Sequence, residues 1–330
     1  MAWQRNARAA LRLLLLWPVA GLVLAHTTAA QGWVPQRHVE LTVPNAQGSS
    51  LDITARTVHR LWHELKLVPV SSTIVNRQGG EQAVAYSYLS QRTGDPHFLS
   101  FANPSLLSNH VAGRSAITYT DFTPIAFLMT DDYIFAVRAD HPLKTGKDMV
   151  EAVKKRPDSL SFGVGNTTHR IAIGLVLQSA NVDIRRVKMV VLAAGTQSTA
   201  ALGGHIDVAV SPLGQVLPHL ESGKMRVLAV SAPKRKEGVL ASVPTWPELG
   251  YPSGTYETWR AVIAPKGITP AQINYWEEVL RKVTESEEYK KAAAKNQWDA
   301  GFKGAAETRK LMAAEYEQTR SVMTYLGIVK

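Results

Sequence analysis

The chain has 330 residues, no cysteine, 45% hydrophobic residues and a formal net charge of +10. The absence of cysteine excludes disulfides, thiol chemistry and a lipid anchor on an acylated cysteine. The densest basic runs, Lys154-Lys155-Arg156 and Lys234-Arg235-Lys236, are short, far apart and not interleaved with aromatics, so the charge reads as solvated surface and no nucleic-acid partner is expected.

In chain order, Arg5, Arg8 and Arg12 precede an apolar run from Leu13 to Ala25, and Thr28-Ala29-Ala30 stands just before Gln31. That run is shorter than the ~20 residues needed to span a bilayer and ends in small residues, so residues 1–30 read as a cleaved secretory signal peptide and a periplasmic location is expected. About 300 residues remain, enough for two domains of about 150 each.

Apolar β-type runs then alternate with amphipathic helical runs, which predicts an α/β architecture with mainly parallel sheets. Residues 38–43, 73–75 and 98–102 are expected strands, and 51–65 and 81–91 expected helices. A second cycle has strands at 134–137, 161–164, 187–191, 206–210 and 226–231. Its helices fall at 147–155, 170–178 and 196–203. A further strand is expected at 259–264. The tail from Pro270 to Leu326 is almost entirely helical in period and should return to cover the first group of strands.

In such a sheet a ligand sits beyond the carboxyl ends of the strands, so the strand-to-helix turns carry the candidate site. The first turn, 44–52, holds Asn45, Gln47, Gly48, Ser49 and Asp52, with Ser49, Ser50 or Asp52 as helix cap. Its small residues leave backbone N–H groups free at a helix N-terminus, where a carboxylate can bind without an arginine. Asn103 opens a later turn as both donor and acceptor. In the second cycle Gly165, Thr167, Thr168 and His169 open a helix, His169 reading either as a ligand contact or as a packed helix-start residue. Gly195 and Thr196 form the matching turn, with Thr196 as the expected cap. Asp207 either lines the cleft or caps its own loop. Arg77, in the second turn, reads either as a partner for a ligand carboxylate or, in preference, as surface. The chain carries no G-x-S-x-G elbow, no H-E-x-x-H helix and no P-loop, and its ten histidines form no i, i+4 metal pair with a third ligand. No catalytic residue, metal or cofactor is therefore expected.

At these turns the chain resembles the tripartite tricarboxylate transporter receptor family, also known as Bug proteins. The resemblance rests on Val43-Pro44 through Gly48 to Asp52 with Ala55-Arg56, Val75-Asn76-Arg77 with Gly79-Gly80, Asn103-Pro104, and Asp121 to Ala126. It continues through Thr168-His169, Gly203-Gly204 with Asp207, Gly250-Tyr251-Pro252, and Trp259 through Pro265 to Pro270. It covers essentially the whole chain after the leader. The resemblance implies a type II periplasmic-binding fold, with two lobes joined by crossing strands near 131–135 and 258–262. Lobe 1 would comprise residues 31–131 and 261–330, and lobe 2 residues 132–260. It implies capture of a small carboxylated ligand by lobe closure, for a permease of the same transporter type. A monomer is expected. A sensor feeding a signalling receptor is the alternative, and a periplasmic enzyme on the same fold a further one. The family usually has an aromatic at Asn45, a second glycine at Ser49, a longer glycine-rich second turn, and a tyrosine and lysine at Ala193 and Ala194. Those departures prevent a particular substrate from being inherited.

The leader reading fixes the first residue of the exported protein. Intact-mass analysis of periplasmic material should give a chain beginning near Gln31, and a mass that retains residues 1–30 would contradict it.

Overall fold

A computed structural model describes residues 32–193 and 195–329, so the expected signal peptide lies outside the described residues. The first strands are β1 (Val39–Val43), β2 (Ser72–Asn76) and β3 (Phe98–Ala102), linked by helices α1 (Ser50–Glu64) and α2 (Ala83–Ser90), with α3 (Ser105–Val111) after β3. β1 lies between β2 and β3, parallel to both, as helix-linked strands require. A second parallel trio is formed by β5 (Ser161–Val164), β6 (Lys188–Val191) and β7 (Val208–Pro212), with β5 in the middle. Its connections hold α5 (Thr167–Ser179) and α6 (Gln197–Leu202); α4 (Gly146–Lys155) precedes it, and α7 (Leu213–Glu221) and β8 (Met225–Val230) follow.

One strand, β4, joins the two groups. It runs without a break from Phe122 to Arg138. Residues 122–132 pair antiparallel with β9 (Glu257–Pro265), whereas Tyr133–Ala136 pair with β7 and Ile134–Arg138 with β8. The expected strand at 134–137 is thus only its second half. Pro124 and the acidic pair Asp131-Asp132 disguise the rest in the sequence, since proline and carboxylates are depleted from central strands. The register shift between Pro124 and Ala126 accommodates the proline. β9 returns antiparallel to both β3 and β4, so antiparallel pairs gather in the middle and parallel ones lie outside.

The core has two main bodies. Under β1–β3, Val39, Leu41, Leu99 and Phe101 pack with Trp62 of α1 and with Trp276 of α8 (Pro270–Glu285). The Trp62 and Trp276 rings are 5.9 Å apart. Under the second trio, Phe135, Phe162, Val208 and Leu228 surround Trp246, whose ring meets Phe135 edge-on at 4.9 Å. The tail then forms α9 (Glu287–Asn296), β10 (Asp299–Lys303) and α10 (Ala305–Tyr325). β10 interrupts the tail expected to be almost entirely helical: it is a half-exposed edge strand paired to β4, and its Asp-Ala-Gly-Phe-Lys sequence carries no apolar run to reveal it.

A single hydroxyl fastens α10 to the shared strand. Thr308 Oγ1 accepts from the Phe127 backbone N–H at 2.8 Å and donates to Lys303 O at 2.9 Å, with no part of Thr308 exposed. Thr308→Val keeps the shape and strands a buried N–H. It should cost about 1–3 kcal/mol, read as a lowered urea midpoint at unchanged slope.

Candidate functional site

The carboxyl ends of β1, β3, β5 and β7 converge where β4 changes partners. The turn after β1 delivers Asn45, Ser49 and Ser50, and the turn after β3 delivers Asn103. The second trio delivers Asn166, His169, Gly195, Pro212 and Gln215, and Tyr133, Thr258 and Arg260 rise from β4 and β9 beneath. Together with Leu51 they line one narrow cavity. Its free interior is about 20 Å³, room for a single water and too small for an organic acid.

Each side of the cavity begins a helix of at least three turns. On α1, Ser49 is the N-cap and its hydroxyl accepts from Asp52 N–H at 3.3 Å. The turn before it is tied by Asp52, which accepts from Gly48 N–H, Arg56 Nε and Asn76 Nδ2, each at 2.8 Å. On α5, Asn166 caps: its Oδ1 accepts from His169 N–H at 3.3 Å and from Thr168 Oγ1 at 2.6 Å. Both N-termini place partial positive charge at the same small space.

His169 is packed at the start of α5 and also lines the cavity. Its ring packs edge-on against Tyr133 at 5.3 Å, and Gly165 N–H donates to its Nδ1 at 3.1 Å. That bond makes Nδ1 the acceptor and leaves Nε2 carrying the proton as a free donor. Burial, helped by the neighbouring Arg170 and Arg260, pushes its pKa down to about 3, so the ring is neutral at any physiological pH.

Beneath lies a charge cluster that the turns did not announce. Arg260 is 2% exposed; Nη1 donates to Thr258 Oγ1 and Trp259 O, Nη2 donates to Ser50 Oγ at 3.2 Å, and Nε has no partner. Asp131, 1% exposed, accepts from Ser50 Oγ at 3.1 Å and lies 3.5 Å from Arg260 Nη2. Burial drives the Asp131 carboxyl up to about 7; Arg260 opposes that rise and Asp132 adds to it. A wider cleft lined by Lys234, Arg235, Lys236 and Asp299 is a weaker candidate, because Lys236 is already paired with Asp132 at 3.0 Å and Asp299 at 2.7 Å.

Of the residues expected from the sequence, Asn45, Ser49, Asn103, His169 and Gly195 line the cavity. Asn45 Oδ1 is held by Gln82 Nε2 at 2.7 Å. Gln47 and Gly48 stand exposed on the outer side of their turn. Asp52, Gly165 and Thr168 are buried behind the lining, and Thr168 hydrogen-bonds Tyr133 Oη at 2.6 Å. Thr167 faces Glu81, donating to it at 3.3 Å. Thr196 stands at the N-cap position of α6, as expected, but its side chain makes no capping bond: its hydroxyl donates to Ala193 O at 2.8 Å. Asp207 lies before β7, at the opposite end of that strand from Pro212, where it accepts from Ser161 N–H at 2.7 Å and Oγ at 2.6 Å. Arg77 is likewise away from the cavity, over the Tyr88 ring at 3.5 Å. Arg260, Tyr133, Thr258 and Gln215 also line the cavity and were not among the residues expected from the turns, and Ser50, expected only as a possible helix cap, lines it as well. An arginine interrupting the apolar run Trp259–Ala264 was the signal, since a strand paired on both edges buries such a side chain.

Comparison with known proteins follows the same lines. Residues 65–328 match the family described as the tripartite tricarboxylate transporter family receptor. BugT of Bordetella pertussis is 24% identical over 301 residues, 89% of this chain and 90% of that protein. Two solved structures share the fold. The periplasmic binding protein BugD is 18% identical with a TM-score of 0.81, covering 89% of this chain and 99% of that one. R. palustris Rpa4515 with adipate is 23% identical with a TM-score of 0.81, covering 89% and 98%. The chain belongs to the tripartite tricarboxylate transporter receptor family.

The turns of the two sides approach closely at one edge of the cavity. A Cβ on Gly195, whose φ is +98°, would stand 2.6 Å from Ser49 Cβ, while one on Gly48, at φ +78°, would meet nothing within 4 Å. Gly195→Ala should therefore push the turns apart and raise the radius of gyration in small-angle scattering. Gly48→Ala should leave that radius unchanged and cost only the left-handed backbone penalty, about 1–2 kcal/mol in a urea melt. Equal radii for both variants would contradict the contact.

Proposed function

We propose that this receptor-family member is an exported, periplasmic, monomeric solute-binding protein. It captures a small carboxylated organic ligand between two lobes and delivers it to a membrane permease of the tripartite tricarboxylate transporter type. The observation that carries the reading is the meeting of two capped helix N-termini, those of α1 and α5, on one narrow cavity with neutral donors at its wall. Such ends bind carboxylates through backbone N–H groups and the helix dipole. Adipate in the related Rpa4515 structure supports the ligand class.

The lobes would be residues 31–131 with 261–330, and 132–260. The partner change of β4 between Asp132 and Tyr133 supports that division. So does the size of the cavity: a ligand of several carbons enters only if the two sides part, and it is enclosed when they meet. Polar contacts across the cleft favour the closed form. Glu81, before α2, accepts from Thr167 of α5 at 3.3 Å and lies 3.5 Å from Arg170.

A thermal-shift screen of four- to six-carbon dicarboxylates, with amines and sugars as controls, tests the ligand class. A ligand at 100 times its dissociation constant should stabilise the protein by about 2.7 kcal/mol and reduce its radius of gyration. Stabilisation by an amine or a sugar, with every carboxylate inert, would overturn the proposal.

A further inference from the structure

Arg260 is held in an unusual way for a buried guanidinium. Its Nη1 is bound to Thr258 and the Trp259 carbonyl, but the opposite edge is loose: Nη2 makes one 3.2 Å bond to Ser50, and Nε, fully buried, makes none. The Nε/Nη2 edge is one that forks a carboxylate with two parallel hydrogen bonds. Asp131 does not occupy it in that way. Its carboxylate stands 3.5 Å from Nη2 and reaches the guanidinium through Ser50, which accepts from Arg260 and donates to Asp131. The resident pair neutralises charge without satisfying the donors. Ser50 and Arg260 both line the cavity.

We propose, building on the carboxylate-capture reading, that Arg260 is the specificity-determining cation of the cavity. Asp131 is its resident counter-ion, and a ligand carboxylate takes the Nε/Nη2 edge as one proton moves from solvent onto Asp131. The exchange conserves charge. Before binding, one guanidinium faces one carboxylate; afterwards it faces the ligand carboxylate and a neutral Asp131. Without the proton, two carboxylates would share one buried cation, an arrangement that pushes the pKa of one of them strongly upward.

The other groups around the pair do not supply that proton or replace it. Asp132, next on β4, is also raised by burial, to about 6, but it is ion-paired with Lys236 at 3.0 Å rather than with Arg260, and Lys236 is shared with Asp299. Tyr86, Tyr133 and Tyr289 face Arg260 from α2, β4 and α9, and burial raises the pKa of each phenol, so they remain neutral donors. His169, from α5, is neutral as well. Burial already places Asp131 near the middle of its titration, which makes it the group able to respond to a second anion.

The consequence is a pH dependence of defined sign. Ligand affinity should fall as pH rises through and above the Asp131 midpoint, by up to about tenfold per pH unit for one linked proton. Protein labelled with ¹³C at the aspartate carboxyls would be titrated alone and with saturating acetate, then with adipate. The Asp131 resonance is identified as the one missing from Asp131→Asn. Either probe should raise its midpoint by at least about one pH unit. Asp131→Asn should bind the probes with no pH dependence between about pH 6 and 8. Arg260→Lys keeps the charge and loses the fork, so it should bind about tenfold more weakly or worse while remaining folded. Probes that stabilise the protein while leaving the Asp131 midpoint in place would overturn the linkage and spare the carboxylate-capture reading. Undiminished binding by Arg260→Lys would overturn the role of the fork. Indifference of both resonance and stability to both probes would overturn the proposal together with its choice of cavity.

Discussion

Between Asp132 and Tyr133 a single strand exchanges one set of neighbours for another, and the rest of the molecule is arranged around the cost of that exchange. A strand that changes partners must still satisfy its backbone N–H and C=O groups where no ladder continues. Ser231 does so here: its hydroxyl accepts from Tyr133 N–H at 2.9 Å and donates to the carbonyls of Tyr133 and Tyr256. The residue therefore links β4 to the segment entering β9, with no part of it exposed. Because the same point lies beneath the carboxyl ends of β1, β3, β5 and β7, the place where the sheet divides is also where the turns converge. Fold and site thus share one constraint.

The alternation of strands and helices was legible because each element buries a face with its own period, and sequence alone records period. Phe98–Ala102 and Ser161–Val164 were readable to the residue. The length of β4 was not, since Asp131 and Asp132 look like a solvated break until Arg260, Ser50 and Lys236 are brought to them from distant parts of the chain. β10 escaped for the opposite reason: as an edge strand it needs a hydrogen-bonded neighbour but little apolar surface. The site was legible to the same extent. Turns are local, so Asn45, Ser49, Asn103, His169 and Gly195 could be named from the chain. The floor of the cavity is non-local, and its arginine entered the sequence as an ordinary charge inside an apolar run.

The structure also separates residues that the turns grouped together. Asp52 and Thr168 sit in the right segments and act on the site through what they hold: Asp52 fixes the Gly48 turn, and Thr168 orients the Tyr133 hydroxyl. α6 spans only Gln197–Leu202, and the turn before it contributes to the lining through Gly195, which has no side chain, rather than through the side chain of its N-cap Thr196. Trimmed side chains in that turn let it lie directly on the Ser49 cap. The small residues that looked like openings for a ligand are, at Gly195, what allows the two sides to touch.

A receptor that must release its cargo cannot let closure become too favourable, and the contacts across this cleft are accordingly modest. Glu81 reaches α5 from a run of left-handed backbone, Gly79 to Gln82, in which two residues are not glycine and are strained by it. Its carboxylate is shared among Arg114, Arg170 and Thr167, so its charge is spread over two partly exposed guanidinium groups and is worth less than a buried pair. The cavity is likewise balanced. Two helix N-termini and a guanidinium favour an anion, and Asp131 opposes it until protonated. A two-state clamp is shifted only by the difference in a ligand's affinity for its two forms. Weak cross-cleft contacts leave that difference to the ligand, and a resident carboxylate beside the arginine spares the empty site a buried, uncompensated charge.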